Sequence, residues 1–285
     1  MNYINNEILV STKWLNEQLG NPDICIIDAS WFLPNSDRNS FEEYRNQHIP
    51  GAVFFDIDLI SEKHNNLPHM LPKPDIFSKE VGKLGIRDGV KIIVYDSNGG
   101  CMAAHRVWWT FRVFGHKNIA VLDGGFKKWQ HEGRLIEAHF PTIIKTTFSA
   151  KDPILVRSLS QVLLNIESEE EQLVDARSAG RFYGTVSEPR NHLPSGHIPK
   201  SLNLPFEEIL NKEHFNTMKN GDELIEAFKN ANIDLSLPII TCCGSGVTAC
   251  CLAFSLYLMG NKNATVYDGS WAEWGADPTL PIVTG

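Results

Sequence analysis

Short runs of branched aliphatic residues recur along the chain, each bounded by turn residues and alternating with stretches that carry one apolar face. Lys91-Ile92-Ile93-Val94-Tyr95 and Pro238-Ile239-Ile240-Thr241-Cys242 are nearly continuous in apolar character, as strands buried on both faces are. Asp75 to Lys83 and Asp222 to Lys229 instead space their apolar residues for a helix. The alternation predicts βαβ units, and with them a parallel sheet flanked by helices on both faces.

The whole pattern occurs twice. Ile26-Ile27-Asp28-Ala29 returns as Leu173-Val174-Asp175-Ala176, 147 positions on (28 to 175), and His48-Ile49-Pro50 returns as His197-Ile198-Pro199, 149 on (48 to 197). Lys91 to Tyr95 matches Pro238 to Cys242, and Asp123-Gly124-Gly125 with Trp129 matches Asp268-Gly269-Ser270 with Trp274, 145 on (123 to 268). Four ordered matches mark a duplication. Leu135 to Pro153 has weak periodicity and reads as a connection. The expected organisation is an N-terminal domain over 1–140, a linker over 141–153 and a C-terminal domain over 154–285.

A length of 285 residues accommodates two such domains. The formal charge is −8 and the Lys and Arg are scattered, which argues against a nucleic acid or an anionic membrane as partner. Ala249 to Met259, the longest apolar stretch, is too short to span a bilayer, and Met-Asn-Tyr-Ile-Asn-Asn-Glu at the N-terminus lacks the features of a signal peptide. A soluble, cytoplasmic protein is expected. Cysteines at 25, 101, 242, 243, 250 and 251 include two vicinal pairs, a poor layout for disulfides or for tetrahedral zinc. Cys250 and Cys251 are expected to pack as small residues on a helix, and no metal or cofactor is expected.

The candidate chemistry lies in Ile239 to Cys250, a strand running through a tight loop with Gly244 and Gly246 into a helix, with Cys243 at the loop entrance. Loop amides and the helix N-terminus would stabilise a thiolate there, the form of cysteine that attacks. Two other readings compete. Cys243 could be an ordinary buried cysteine. A cysteine phosphatase has a similar loop but closes it with an arginine where this chain has Ala249, and so would lack its main phosphate ligand. The first copy has Asp96-Ser97-Asn98-Gly99-Gly100-Cys101-Met102 in the equivalent place, so only the second domain is expected to be catalytic and Cys101 is expected to be a non-catalytic loop cysteine. His48 and His197 occur in both copies and are expected to serve the fold. The same holds for Trp108, Trp109, Trp129, Trp271 and Trp274 as packing residues, and for Asp28 and Asp175 as turn caps.

The duplicated Asp-Ala, His-Ile-Pro and Asp-Gly patterns, with one loop cysteine in the second copy, resemble the tandem-domain rhodanese-type sulfurtransferases over essentially the whole chain. The resemblance implies an α/β fold of two tandem rhodanese-like domains. Thiosulfate enzymes of that family carry Cys-Arg-Lys-Gly-Val-Thr in the loop and 3-mercaptopyruvate enzymes Cys-Gly-Ser-Gly-Val-Thr, which is the sequence of Cys243 to Thr248. It follows from the resemblance that Cys243 takes sulfur from 3-mercaptopyruvate as a persulfide, pyruvate leaves, and a thiol such as thioredoxin or a small reductant collects the sulfur. Gly244, Gly246, Val247 and Thr248 would line the substrate. Because Gly244 and Ser245 bring no charge, the substrate's anionic part must be met elsewhere, and Arg181 and Arg190 match the family's arginines for the carboxylate and keto oxygen. Ser245, His69 and Asp58 match a proton relay in the cleft, with Asp56 a near neighbour able to serve in place of Asp58. Thiosulfate as donor, and a non-turnover persulfide carrier or redox sensor, stay open as alternatives. Cys242 departs from the family pattern by placing a second thiol beside the nucleophile.

Overall fold

The computed structural model describes residues 3–33, 36–99 and 102–285. Cys101 lies outside the described residues. The first sheet is built from β1 (Leu9–Val10), β2 (Ile24–Asp28), β3 (Val53–Phe54), β4 (Lys91–Tyr95) and β5 (Ile119–Leu122), parallel throughout in the order β1-β5-β4-β2-β3. Its helices are α1 (Thr12–Glu17), α2 (Ser40–Asn46), α3 (Pro74–Lys83), α4 (Ala103–Val113) and α5 (Gly125–His131).

The second sheet takes β6 (Val156–Arg157), β7 (Gln172–Asp175), β8 (Leu202–Asn203), β11 (Ile239–Cys242) and β12 (Thr265–Tyr267), in the order β6-β12-β11-β7-β8 and again parallel. Between β8 and β11, β9 (Leu210–Asn211) and β10 (Thr217–Met218) form a separate antiparallel pair. Helices α6 (Leu159–Ser168), α7 (Ala179–Phe182), α8 (Gly221–Asn230), α9 (Ala249–Leu258) and α10 (Ser270–Trp274) complete the domain. The two strand orders are one order repeated, so the duplicated motifs reflect duplicated topology.

The sequence signals fix the helix ends. Asn220 and Glu223 form a reciprocal capping box at the start of α8, whose first turn carries Asp222 and whose last carries Lys229. Leu224 and Phe228, four apart, bury one face. Helix α9 has no polar face, and all its residues but Tyr257 are buried. It is enclosed because it packs on its own sheet and against α4 of the first domain. Trp108 meets the rings of Phe254 and Tyr257 at 4.8 and 5.7 Å, and one apolar core runs through both domains.

Residues 141–153 contain no helix or strand but lie strapped to the first domain: Thr146 and Lys151 donate N–H bonds to Gly82 and Phe114, and Phe148 enters the Phe77–Phe111 cluster. Gly82 is required there, since a Cβ would stand 2.5 Å from the Thr146 carbonyl oxygen.

The domains exchange arms. The segment after β3 crosses to the second domain, where Leu71 N–H donates to Asp268 Oδ2 at 2.8 Å. The segment after β8 crosses the other way, where Met218 N–H donates to Asp123 Oδ1 at 3.0 Å. His69 and Asn216, 147 positions apart, occupy equivalent left-handed backbone positions in the two arms, at φ 61 and 56°. The repeated Asp-Gly motif is thus a reciprocal latch between domains. The repeated histidines serve the fold: His48 and His197 donate from Nδ1 to the carbonyls of Tyr44 and Phe182, at 2.6 and 2.9 Å. No helix among the described residues is long and apolar enough to cross a membrane.

Candidate active site

Strand β11 carries the chain to the carboxyl edge of its sheet, where ligands of such folds bind. Strand alternation sends the two vicinal cysteines to opposite faces. Cys242 joins the cluster of Tyr267 and Trp271, whereas Cys243 joins the core shared with the first domain. Burial pushes the Cys242 thiol well above its ordinary pKa and does the same to Cys250, whose Sγ donates to Gly246 O at 3.1 Å. Cys250 and Cys251 are fully buried on α9.

The loop is held from α10. Ser270 Oγ accepts the N–H groups of Cys243 and Gly246, both at 3.1 Å, and donates to Tyr267 O. The carbonyls of Cys243 and Gly244 accept from Trp271 and Ala272. Two loop amides are therefore spent on shaping the loop. Those of Gly244, Ser245, Val247 and Thr248 make no hydrogen bond among the described residues and remain available to a sulfur anion. Val247 contributes only its backbone, because its side chain lies in the core.

Arg181 and Arg190 converge on Gly244. A Cβ there would stand 2.9 Å from Arg181 Nη2 and 3.7 Å from Arg190 Nη1. Arg181 is gripped by Glu188 through Nε (3.0 Å) and Nη2 (2.6 Å). Glu188 is buried and also takes Arg177 Nη1 at 2.8 Å, while Arg177 grips Asp175 and lies over Trp271. This row of two acids and two arginines is neutral in itself. Arg190 makes no hydrogen bond or ion pair among the described residues. Burial lowers its pKa and Arg181 lowers it further, while the Cys243 charge opposes them. Arg190 is thus a cation near Cys243 without an ion-pair partner among the described residues.

From the first domain come His69 and Asp58. His69 Nδ1 stands 3.0 Å from Asp58 Oδ1, Trp31 Nε1–H donates to Asp58 Oδ2 at 2.8 Å, and the Trp31 ring meets the imidazole edge-on at 4.8 Å. Asp56 instead caps its own turn by accepting the N–H groups of Asp58 and Leu59, so the histidine's partner is Asp58. Burial alone would raise the Asp58 pKa, but the hydrogen bond and charge of His69 hold it below the ordinary carboxylate value. His69 Nε2 and the Ser245 hydroxyl have no partner among the described residues.

One buried side chain joins the two halves. Arg106 of α4 pairs with Asp268 at 2.6 Å, donates to Gly246 O from Nη1 at 3.1 Å, and donates to His69 O from Nη2 at 2.5 Å. A single guanidinium thus holds the histidine arm, the cysteine loop and the interdomain latch. Sequence reading passed over Arg106, Glu188 and Ser270. The one available signal for Arg106 was its place in Ala103-Ala104-His105-Arg106-Val107-Trp108, a helical stretch without a polar face.

With this geometry the comparisons agree. The rhodanese-like domain family matches residues 11–132 and 158–277, and the chain belongs to it. The thiosulfate/3-mercaptopyruvate sulfurtransferase 2 of Arabidopsis thaliana is 43% identical over 98% of this chain and 87% of its own length. The 3-mercaptopyruvate sulfurtransferase of Mus musculus is 42% identical over 93% of this chain and 91% of its own. The crystal structure of SseA from Escherichia coli, a 3-mercaptopyruvate sulfotransferase, superimposes with a TM-score of 0.84 at 38% identity, covering 93% of this chain and 98% of that one.

Proposed function

We infer that this protein is a sulfurtransferase that takes the sulfur of 3-mercaptopyruvate onto Cys243 as a persulfide, releases pyruvate and hands the sulfur to a thiol. The observation that carries the choice of donor is the contact at Gly244. The relatives' names include both thiosulfate and 3-mercaptopyruvate, so identity alone does not decide. A cationic side chain at 244, of the kind a thiosulfate loop brings, would run into the Arg181 guanidinium that Glu188 holds in place. With glycine at 244, the two arginines supply the positive charge. They suit an α-keto acid, whose carboxylate and ketone oxygen stand side by side next to the carbon that bears sulfur.

In the first half-reaction the Cys243 thiolate forms an S–S bond with the donor sulfur while the C–S bond breaks, and its electron pair passes into the pyruvate enolate. Arg190 and Arg181 balance the charge that grows on the ketone oxygen. The proton from the donor thiol balances the enolate carbon, with Ser245 and His69 the groups placed to move it and Asp58 orienting His69. The unspent amides of Gly244, Ser245, Val247 and Thr248 shelter the persulfide. In the second half an acceptor thiolate takes the outer sulfur and Cys243 leaves as thiolate. The acceptor we assign is thioredoxin or a small reductant, and the compartment the cytoplasm, in keeping with the vicinal layout of the cysteines, a poor one for a disulfide framework. Residues 1–140 form the non-catalytic domain that lends the His69 arm, 141–153 the linker, and 154–285 the domain that carries the nucleophile.

The test is pyruvate release from 3-mercaptopyruvate with a reducing thiol, run beside thiosulfate, for the wild type and Cys243→Ser. Fast release that the substitution abolishes, with thiosulfate much slower, is the expected result. Faster turnover of thiosulfate would overturn the choice of donor, and turnover of neither would leave a persulfide carrier as the better reading.

A further inference from the structure

In the second domain the Arg177 guanidinium fills a buried space beside β7. It bridges Asp175 and Glu188, at 2.6 and 2.8 Å, and lies 4.3 Å above the Trp271 ring. The duplication gives the first domain the same surroundings without the guanidinium. Asp28 stands for Asp175 and Phe126 for Trp271, but Arg177 is replaced by Ser30. The arginine–glutamate fork recurs as well: Arg38 grips Glu43 through Nε at 2.7 Å and Nη2 at 2.6 Å, as Arg181 grips Glu188. Asp28, Glu43 and Phe126 line one cavity of about 140 Å³, together with Ser30 and Ser97. Ser97 Oγ is buried there with no hydrogen-bond partner among the described residues.

We propose that this cavity binds the guanidinium head of a small molecule, seated between Asp28 and Glu43 with its plane over Phe126. The site lies away from the sulfur chemistry and does not depend on it. A guanidinium is planar, donates in two directions at once and stacks on an aromatic face, whereas an ammonium is a compact, strongly hydrated charge that cannot bridge two carboxylates in this way. Arg38 is neutralised by Glu43 and Lys127 at the rim is exposed, so the buried charge in the cavity is that of Asp28. The Asp28 carboxyl, which accepts the Ser30 N–H at 2.8 Å, is pushed up to about 6 by burial, which outweighs the lowering effect of hydrogen bonds from Ser30 and Tyr95. At about 140 Å³ the cavity is too small for a drug-sized ligand and matches a head group.

Saturation-transfer NMR with methylguanidinium tests the assignment on the full chain, with methylammonium and urea as controls for shape and charge. Methylguanidinium should bind saturably and both controls should not. Glu43→Gln should weaken binding severalfold, the scale of a half-exposed, solvent-screened charge. Ser30→Arg, which restores the second domain's side chain in the first, should abolish binding and leave sulfur transfer unchanged. An acetylated arginine amide competing for the site would show that an arginyl side chain can supply the head group, and failure to compete would restrict it to free guanidines. No saturable binding, equal binding of methylammonium, or undiminished binding by Ser30→Arg would each overturn the proposal.

Discussion

At the scale of single residues, the site turns on which positive charges are already spoken for. Arg181 is balanced by Glu188 and Arg190 is not, so the two should respond differently to removal. Arg190→Ala should raise KM for 3-mercaptopyruvate and lower kcat/KM by one to two orders of magnitude, the usual scale for a charge-assisted hydrogen bond of ~1.5–3 kcal/mol. Arg181→Ala removes a cation and also leaves Glu188 with one fewer partner beside the place proposed for the substrate carboxylate, so its loss should be larger. The double variant Arg181→Ala with Glu188→Gln should then recover part of the activity. Steady-state kinetics of Arg181→Ala, Glu188→Gln and the double close the cycle. Strictly additive losses would show that Glu188 does not act through Arg181.

At the scale of elements, α4 contributes Arg106, whose three acceptors belong to three different segments. Lysine keeps the charge but cannot reach all three with one compact ammonium. Arg106→Lys should therefore loosen His69 relative to the Cys243 loop while leaving Arg181 and Arg190 in place. The expected result is kcat down by about 10² with KM nearly unchanged, since a displacement near 1 Å at a reacting group costs about that much. Equal losses in kcat and in folded fraction would reduce Arg106 to a stabilising role. This residue also shows where sequence reading stops. Cys243 stands in a strand–loop–helix motif legible from its own residues, whereas Arg181, Arg190, Ser245, His69 and Asp58 are proposed through short motifs that match the family's. The strands and amphipathic helices were legible for the same local reason, through hydrophobic period and capping. The contributions of Arg106, Ser270 and Glu188 depend on contacts between segments 140, 27 and 7 residues apart. A lone arginine in an apolar helix looks the same in sequence whether it clamps a loop or faces water. The repeated Asp-Gly motif was visible as a repeat, but its use as a latch needs the crossing of the two arms, which no local pattern encodes.

At the scale of the whole molecule, the proposed catalytic parts come from both halves of the chain, so the proposal requires their interface to persist at working pH. Where α4 meets α9 that interface is apolar, and a titratable ring is buried in it. His105 of α4 packs edge-on against Phe254 of α9 at 4.4 Å, with no hydrogen-bond partner on either nitrogen among the described residues. Burial pushes its pKa down to about 3. Because the folded value lies below the unfolded one of about 6.5, the neutral ring stabilises the fold, fully so above pH ~6.5, and that contribution is lost as pH falls toward the folded value. At about 1.4 kcal/mol per unit, acidification from pH 6.5 to pH 5 should cost roughly 2 kcal/mol through this residue. Asp28, raised to about 6, works in the opposite sense over part of the same range, so the wild-type pH profile mixes the two. His105→Phe keeps an aromatic ring at the interface and leaves Asp28 untouched, so the difference between variant and wild type isolates the histidine. Urea unfolding at pH 7 and pH 5 should show the wild type losing about 2 kcal/mol more than His105→Phe. Parallel pH profiles would mean that the imidazole gains a partner or water when protonated, and that acid acts on the interface elsewhere.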